Sequence, residues 1–169
     1  MKKNTLFLVH AAMIAALYVV LTLLANALGL ANYAIQVRFS EAMTILPVFT
    51  PAAIPGLFIG CLVSNILTGC MPLDVIFGSL ATLIGAIGTY FLGKSKLPTW
   101  VATLPPILAN VIVVPPVLRY VYQLKGIMPY FMLTVGIGEV ISCGILGMIL
   151  YMALKPHAVS LFSLQPEDK

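Results

Sequence analysis

Long apolar runs with almost no charge inside them decide what this chain can become. Between Thr5 and Leu154 the charged residues are Arg38, Glu41, Asp74, Lys94, Lys96, Arg119, Lys125 and Glu139. A soluble domain carries charge on about a quarter of its residues. Here the share is 8%, beside 61% apolar residues and a mean hydropathy of +1.08. The outer surface must therefore face lipid, and a soluble fold is excluded. The formal net charge of +4 comes from lysines scattered at segment ends, with no basic run suited to nucleic acid. Cys61, Cys70 and Cys143 have neither CxxC nor Cys/His spacing and read as small buried hydrophobes.

Apolar stretches of about 18 to 25 residues cross a bilayer as helices, and six segments emerge on that basis. The expected fold class is an all-α integral membrane protein, a bundle of six transmembrane helices. The segments run from Thr5 to Leu28, about Glu41 to Phe49, about Gly56 to Thr68, about Leu73 to Leu92, about Trp100 to Tyr122 and about Pro129 to Leu154. Pro115 and Pro116 should kink the fifth. Residues 1–155 form the expected substrate-binding membrane domain, and residues 156–169 a cytoplasmic tail. The second and third segments are too short for two full spans at about 1.5 Å per residue. Such helices survive in lipid only where protein packs around them or a cavity hydrates them. They should border a cavity, as broken helices do in transporters.

Topology follows from the basic residues. With a cytoplasmic N-terminus, Lys2, Lys3, Lys94, Lys96, Lys155 and Lys169 lie inside, and Arg38, Arg119 and Lys125 lie outside. That distribution favours both termini in the cytoplasm. A competing reading takes Lys2, Lys3, the first apolar run and Ala25-Asn26-Ala27 as a cleaved secretory signal. The run exceeds the usual core of about 7 to 15 residues.

The polar residues left in the apolar body are the candidates for chemistry. Arg38 and Glu41 open a stretch broken by Pro47, Pro51 and Pro55, at the mouth of the membrane region. Glu139 lies ten residues after Pro129, roughly 15 Å into the last helix and near the bilayer midplane. A carboxylate there costs about 2.5–3.5 kcal/mol on insertion scales, so it needs a partner, a proton or a hydrated cavity. Asn110 sits at similar depth in the fifth segment. Asn65 and Asp74 flank an outer turn, where Asp74 also suits a helix cap. Glu41 suits a helix start with Ser40 as cap, and Arg38 has Glu41 or a lipid headgroup as partner.

Ala11, Ala12, Ala15 and Ala16 make two overlapping small-residue pairs at helical spacing, which serve close helix approach, either within the bundle or with a partner. Gly56, Gly60 and Ser64, and Ala81, Gly85 and Thr89, repeat the device and should pack the bundle itself. His10, alone near the inner end of the first segment, reads as packing or interfacial, His157 sits in the tail, and two separated histidines supply neither a metal cluster nor a triad. No GxxxxGK[ST] loop occurs, so the chain does not hydrolyse ATP in that way. Trp100, Tyr90, Tyr120, Tyr122, Tyr130 and Tyr151 fall near segment ends as interface anchors, with Tyr120 or Tyr130 able to stack on a planar ligand.

The blocks QVRFSEAMTILPVFTPAAIPGLFIGCLVSNILTG, DVIFGSLATLIGA, LPPILANVIVVP and LTVGIGEVISCGILG resemble the queuosine-precursor transporter (QueT) family, S components of energy-coupling factor (ECF) transporters. The resemblance covers most of the chain. It implies a six-helix bundle of the ECF S-component type in the bacterial cytoplasmic membrane. It also implies an outward-opening site for 7-aminomethyl-7-deazaguanine or a related deazapurine, and no cofactor. The implied partners are a transmembrane scaffold subunit and two ATPase subunits, docked through Ala11, Ala12, Ala15 and Ala16. The segment Gly29 to Ser40 then corresponds to the one that closes over substrate. Matching ligand to residues assigns Glu139 to the guanine-like edge, Glu41 or Asp74 to the amine, and Asn65 and Asn110 to further purine contacts. Arg38 stands at the entrance.

The leading expectation is therefore a solute-binding membrane subunit without enzymatic activity of its own. A stand-alone secondary transporter using Glu139 as proton carrier is the alternative, and the short chain without internal halves counts against it. A lipid-acting membrane enzyme would need clustered acids or histidines at the membrane face. A structural adaptor would leave Glu139 unexplained.

Overall fold

The computed structural model describes residues 3–30 and 37–162. Six helical segments succeed one another, four of them long and apolar enough to cross a membrane. These are α1 (Lys3–Ala27), α3 (Pro72–Gly93), α4 (Thr99–Val121) and α5 (Met128–Phe162). The two short ones are a 3-10 rod (Phe39–Val48) and α2 (Ala53–Leu67). The expected helical membrane bundle is the one observed. Exposed Leu, Ile, Val and Phe side chains cover α1 and α3 to α5, the surface that lipid wants.

The rod reaches further than its ten residues would as an α-helix, but stays short of a full span of about 30 Å. A 3-10 helix rises about 2.0 Å per residue, against 1.5 Å for an α-helix. Such runs rarely exceed three or four residues, because their hydrogen bonds are poorer. This one has ten, and every side chain from Ser40 to Pro47 is buried. It packs against α1, α2, α3, the Thr99–Thr103 start of α4 and the Val140–Leu154 part of α5, and so lies at the centre of the bundle. Helix-capping by Ser40 is not what occurs: Arg38 takes the cap position without a side-chain bond, while Ser40 Oγ hydrogen-bonds Thr22 Oγ1 at 2.8 Å.

Small residues set the remaining contacts. A methyl group at Gly60 would lie 2.7 Å from Tyr18 Cβ, and one at Gly56 would lie 2.8 Å from the Ala11 carbonyl oxygen. Neither fits, so α1 and α2 touch through these glycines. On α3, Gly85 admits Pro106 in the same way, and Thr89 donates to the Ala102 carbonyl at 2.8 Å. Both α1 and α2 end in the same hydrogen-bonded turn. At α2, Cys70 N–H reaches the Asn65 carbonyl at 3.0 Å and Gly69 N–H the Ile66 carbonyl at 3.1 Å, with Gly69 at φ +75°. At α1, Leu30 and Gly29 repeat it on Ala25 and Asn26.

Two features go beyond the expected segments. The last helix does not end at Leu154. Residues 155–162 stay helical, Ala158 is buried, and Phe162 stacks on Phe49 with ring centroids 5.6 Å apart. Apolar side chains at 158 and 162 outweigh the local charge of Lys155. Nor are α4 and α5 simple kinked helices. Each carries a wider π-turn segment, Val117–Val121 after Pro115 and Pro116, and Val140–Leu146 directly after Glu139.

Candidate binding cavity

A cavity of about 340 Å³ opens at the end of the bundle away from residues 3 and 162. Ligand cavities span about 300–1,000 Å³, so this one suits a small bicyclic molecule. All six residues expected at a substrate site line it: Arg38, Glu41, Asn65, Asp74, Asn110 and Glu139. They come from five separate helices or their approaches, and no two neighbour each other in sequence. Of the segment expected to cover the site, residues 31–36 lie outside the described residues.

The deepest group centres on Glu41. Its side chain is 2% exposed; Tyr18 of α1 donates its hydroxyl to Oε1, and Oε2 has no hydrogen-bond partner among the described residues. Glu139 accepts from the Cys143 thiol, with Sγ 3.1 Å from Oε2. Donor atoms of Glu41, Glu139 and Cys143 all lie within 4.8 Å of one another. A thiol with two carboxylates mixes soft and hard ligands that different metals prefer, and here the thiol is spent on a hydrogen bond. This arrangement serves polar recognition better than metal binding. Arg38 lines the same cavity, and among the described residues it forms no ion pair with Glu41, one of the partners open to it. Its backbone N–H instead donates to Ser142 Oγ at 3.2 Å, which pins the start of the rod to α5.

A second group lies across α2 and α3. Asn65 Nδ2 and Asp74 Oδ1 both approach Gly78, at 3.3 and 3.6 Å from where its methyl group would sit. A side chain at 78 would fill the space between them. Asp74 does not cap α3. It accepts from the Tyr122 hydroxyl at 2.8 Å, and that hydroxyl accepts from Met71 N–H at 3.2 Å. Burial, and then the Asp74 carboxylate, push the Tyr122 hydroxyl above the ordinary tyrosine range, so it stays a donor at neutral pH.

Sequence reasoning missed Tyr18 and Tyr122. Tyr120 and Tyr130, its candidates for stacking, are exposed on the bundle exterior and absent from the lining. Tyr18 sits in a featureless apolar helix, and only the approach of Gly60 reveals that it is turned inward. The cysteines also differ from plain hydrophobes. Cys61 accepts from Asn65 Nδ2 at 3.5 Å, and Cys70 lines the cavity mouth. Tyr18→Phe should leave the buried Glu41 carboxylate without its donor. The expected cost is about 1–3 kcal/mol, visible as a lower apparent Tm of the purified protein, and an unchanged Tm would dismiss the bond as structural support.

Of the four alanines on α1, Ala11 is buried and Ala15 half-buried, both packed against Gly56 and Gly60. Ala12 and Ala16 are exposed on the opposite face.

A model of the QueT transporter family matches residues 8–156. The chain belongs to this family. A curated relative, the queuosine precursor transporter QueT of Lactococcus lactis subsp. cremoris (strain MG1363), is 37% identical over 83 residues. That stretch covers 49% of this chain and 48% of the relative, about half the length of each. No solved structure matches the chain. Membership in the QueT family and the four long apolar helices make this a multi-pass membrane protein.

Proposed function

We propose that this QueT-family protein captures a queuosine precursor, a 7-deazaguanine carrying an aminomethyl arm, as the substrate-binding subunit of an ECF importer. The observation that carries the reading is the gathering of two acids, a third acid and two amides around one small cavity. A deazaguanine presents adjacent N–H donors and a carbonyl acceptor, and its arm is cationic near neutral pH. Asp74 and Glu41 or Glu139 supply acceptors, while Asn65 and Asn110 supply both donors and acceptors. The name of the Lactococcus relative supports the same ligand class.

The chain lacks an ATP-hydrolysing loop, so the energy for uptake comes from partner ATPases through a membrane scaffold subunit. Ala12 and Ala16 form the docking face on α1, since Ala11 and Ala15 are already committed to α2. The cavity faces outward, and both termini lie in the cytoplasm of a bacterial cell.

Titration of the purified protein with 7-aminomethyl-7-deazaguanine, its nitrile precursor and queuine tests the ligand class; failure of all three to bind rejects it. Copurification tests the partners. The wild-type chain should retain scaffold and ATPases when all are expressed together, and Ala12→Leu with Ala16→Leu should lose them while still binding ligand. Proton-driven uptake by the isolated protein would instead identify a secondary transporter.

A further inference from the structure

Two carboxylates share the inner end of the cavity with one arginine, and the charges there do not cancel. With Glu41 and Glu139 ionised and Arg38 cationic, the inner end carries one net negative charge. Every group that faces the pair leaves it so. Tyr18 from α1 and Cys143 from α5 donate neutral hydrogen bonds, Cys61 from α2 is a neutral thiol, and Asn110 from α4 carries no charge. Asp74 from α3 lines the same cavity and is itself acidic. Two carboxylates this close do not both ionise without a cation between them.

We propose that the Glu41–Glu139 pair is the seat of the ligand's ammonium group, and that it holds one proton when the ammonium is absent. The inference rests on the deazapurine reading above and revises it at one point. The guanine-like edge then falls to Asp74, Asn65 and Asn110, and not to Glu139.

The geometry favours an ammonium. A tetrahedral nitrogen donating two bonds of about 2.8 Å spans acceptors about 4.6 Å apart. One oxygen each of Glu41 and Glu139 lie within 4.8 Å, and Glu41 Oε2 is buried with no partner among the described residues. A planar edge with parallel N–H groups needs both oxygens of a single carboxylate. At Glu41 one of these is already taken by Tyr18.

On binding, the ammonium keeps its three protons and donates two of them to the pair. The carboxyl proton passes to solvent, so one proton is released for each ligand bound. Affinity for the aminomethyl ligand then rises with pH, by up to about tenfold per unit, until the ligand's own amine loses its proton. The nitrile analogue has no positive charge to exchange and releases none.

Calorimetric titration of the purified full chain in two buffers of different ionisation enthalpy counts those protons directly. About one proton released with 7-aminomethyl-7-deazaguanine and about none with 7-cyano-7-deazaguanine is the expected result. Equal counts for the two ligands would overturn the exchange while leaving deazapurine binding intact. If neither ligand bound, the reading beneath it would fall as well. A second arm uses Glu41→Gln: it should weaken the aminomethyl ligand at least tenfold and shift the nitrile less than threefold. An equal loss for both would return the pair to the guanine-like edge.

Discussion

Glu139→Gln should abolish binding of 7-aminomethyl-7-deazaguanine, with a loss of about a hundredfold or more, while the bundle stays folded. Removing one member of a buried charged contact costs about 3–5 kcal/mol, because the other charge is left unpaired. Here that other charge is the ligand's ammonium, so the cost falls on binding. The fold has little to lose. Glu139 accepts from Cys143 on its own helix, and the amide accepts from that thiol equally well. Titration and thermal unfolding of the same purified sample decide the matter: wild-type affinity removes Glu139 from the site, and a collapsed Tm assigns it a structural role.

Gly60→Val should produce the largest loss of stability among single substitutions on α2. The first added carbon meets Tyr18 Cβ at 2.7 Å and the Ala15 carbonyl at 3.0 Å, and neither can swing aside. Overpacking of this kind costs about 1–3 kcal/mol, and more where backbone must move. For a chain of this size that corresponds to roughly 2–4 °C per kcal/mol, so a fall of about 5–10 °C is expected. The consequence reaches the cavity, because forcing α1 away from α2 withdraws the Tyr18 hydroxyl from Glu41. Ligand affinity should fall together with Tm. Gly69→Ala is the control: φ +75° makes it unfavourable by about 1 kcal/mol, but nothing lies within 4 Å of the new methyl group. A Gly60→Val protein as stable as wild type would mean that α1 and α2 do not depend on this contact.

These two positions differ in how far they can be read without coordinates. A lone acid in an apolar helix is so costly in lipid that Glu139 announces itself, and the same reasoning reaches Glu41, Asp74 and Asn110. What such reasoning misassigns is the partner of each. Glu41 suits Arg38 by sequence proximity, yet it takes Tyr18, 23 residues upstream. Asp74 suits a cap by its place in the first turn, yet it takes Tyr122. Distance along the chain says little about contact when six helices cross one another.

The sequence by itself determined the solvent and the number of helical segments. Lipid leaves only helices for an 8%-charged chain, and the spacing of its polar residues marks where those helices end. It also determined which side chains needed a cavity, because each carried an insertion cost that only a cavity or a partner offsets. The tertiary structure decided how they meet. The shortest segment winds as a 3-10 rod because it is enclosed on every side, which no local propensity foretells. With that rod at the centre, Glu41 turns toward Glu139 and Tyr18, and residues far apart in the chain become one site. Pairing depends on the angles at which packed helices cross, and those angles follow from glycine contacts such as Gly60 on Tyr18, which only the folded bundle contains.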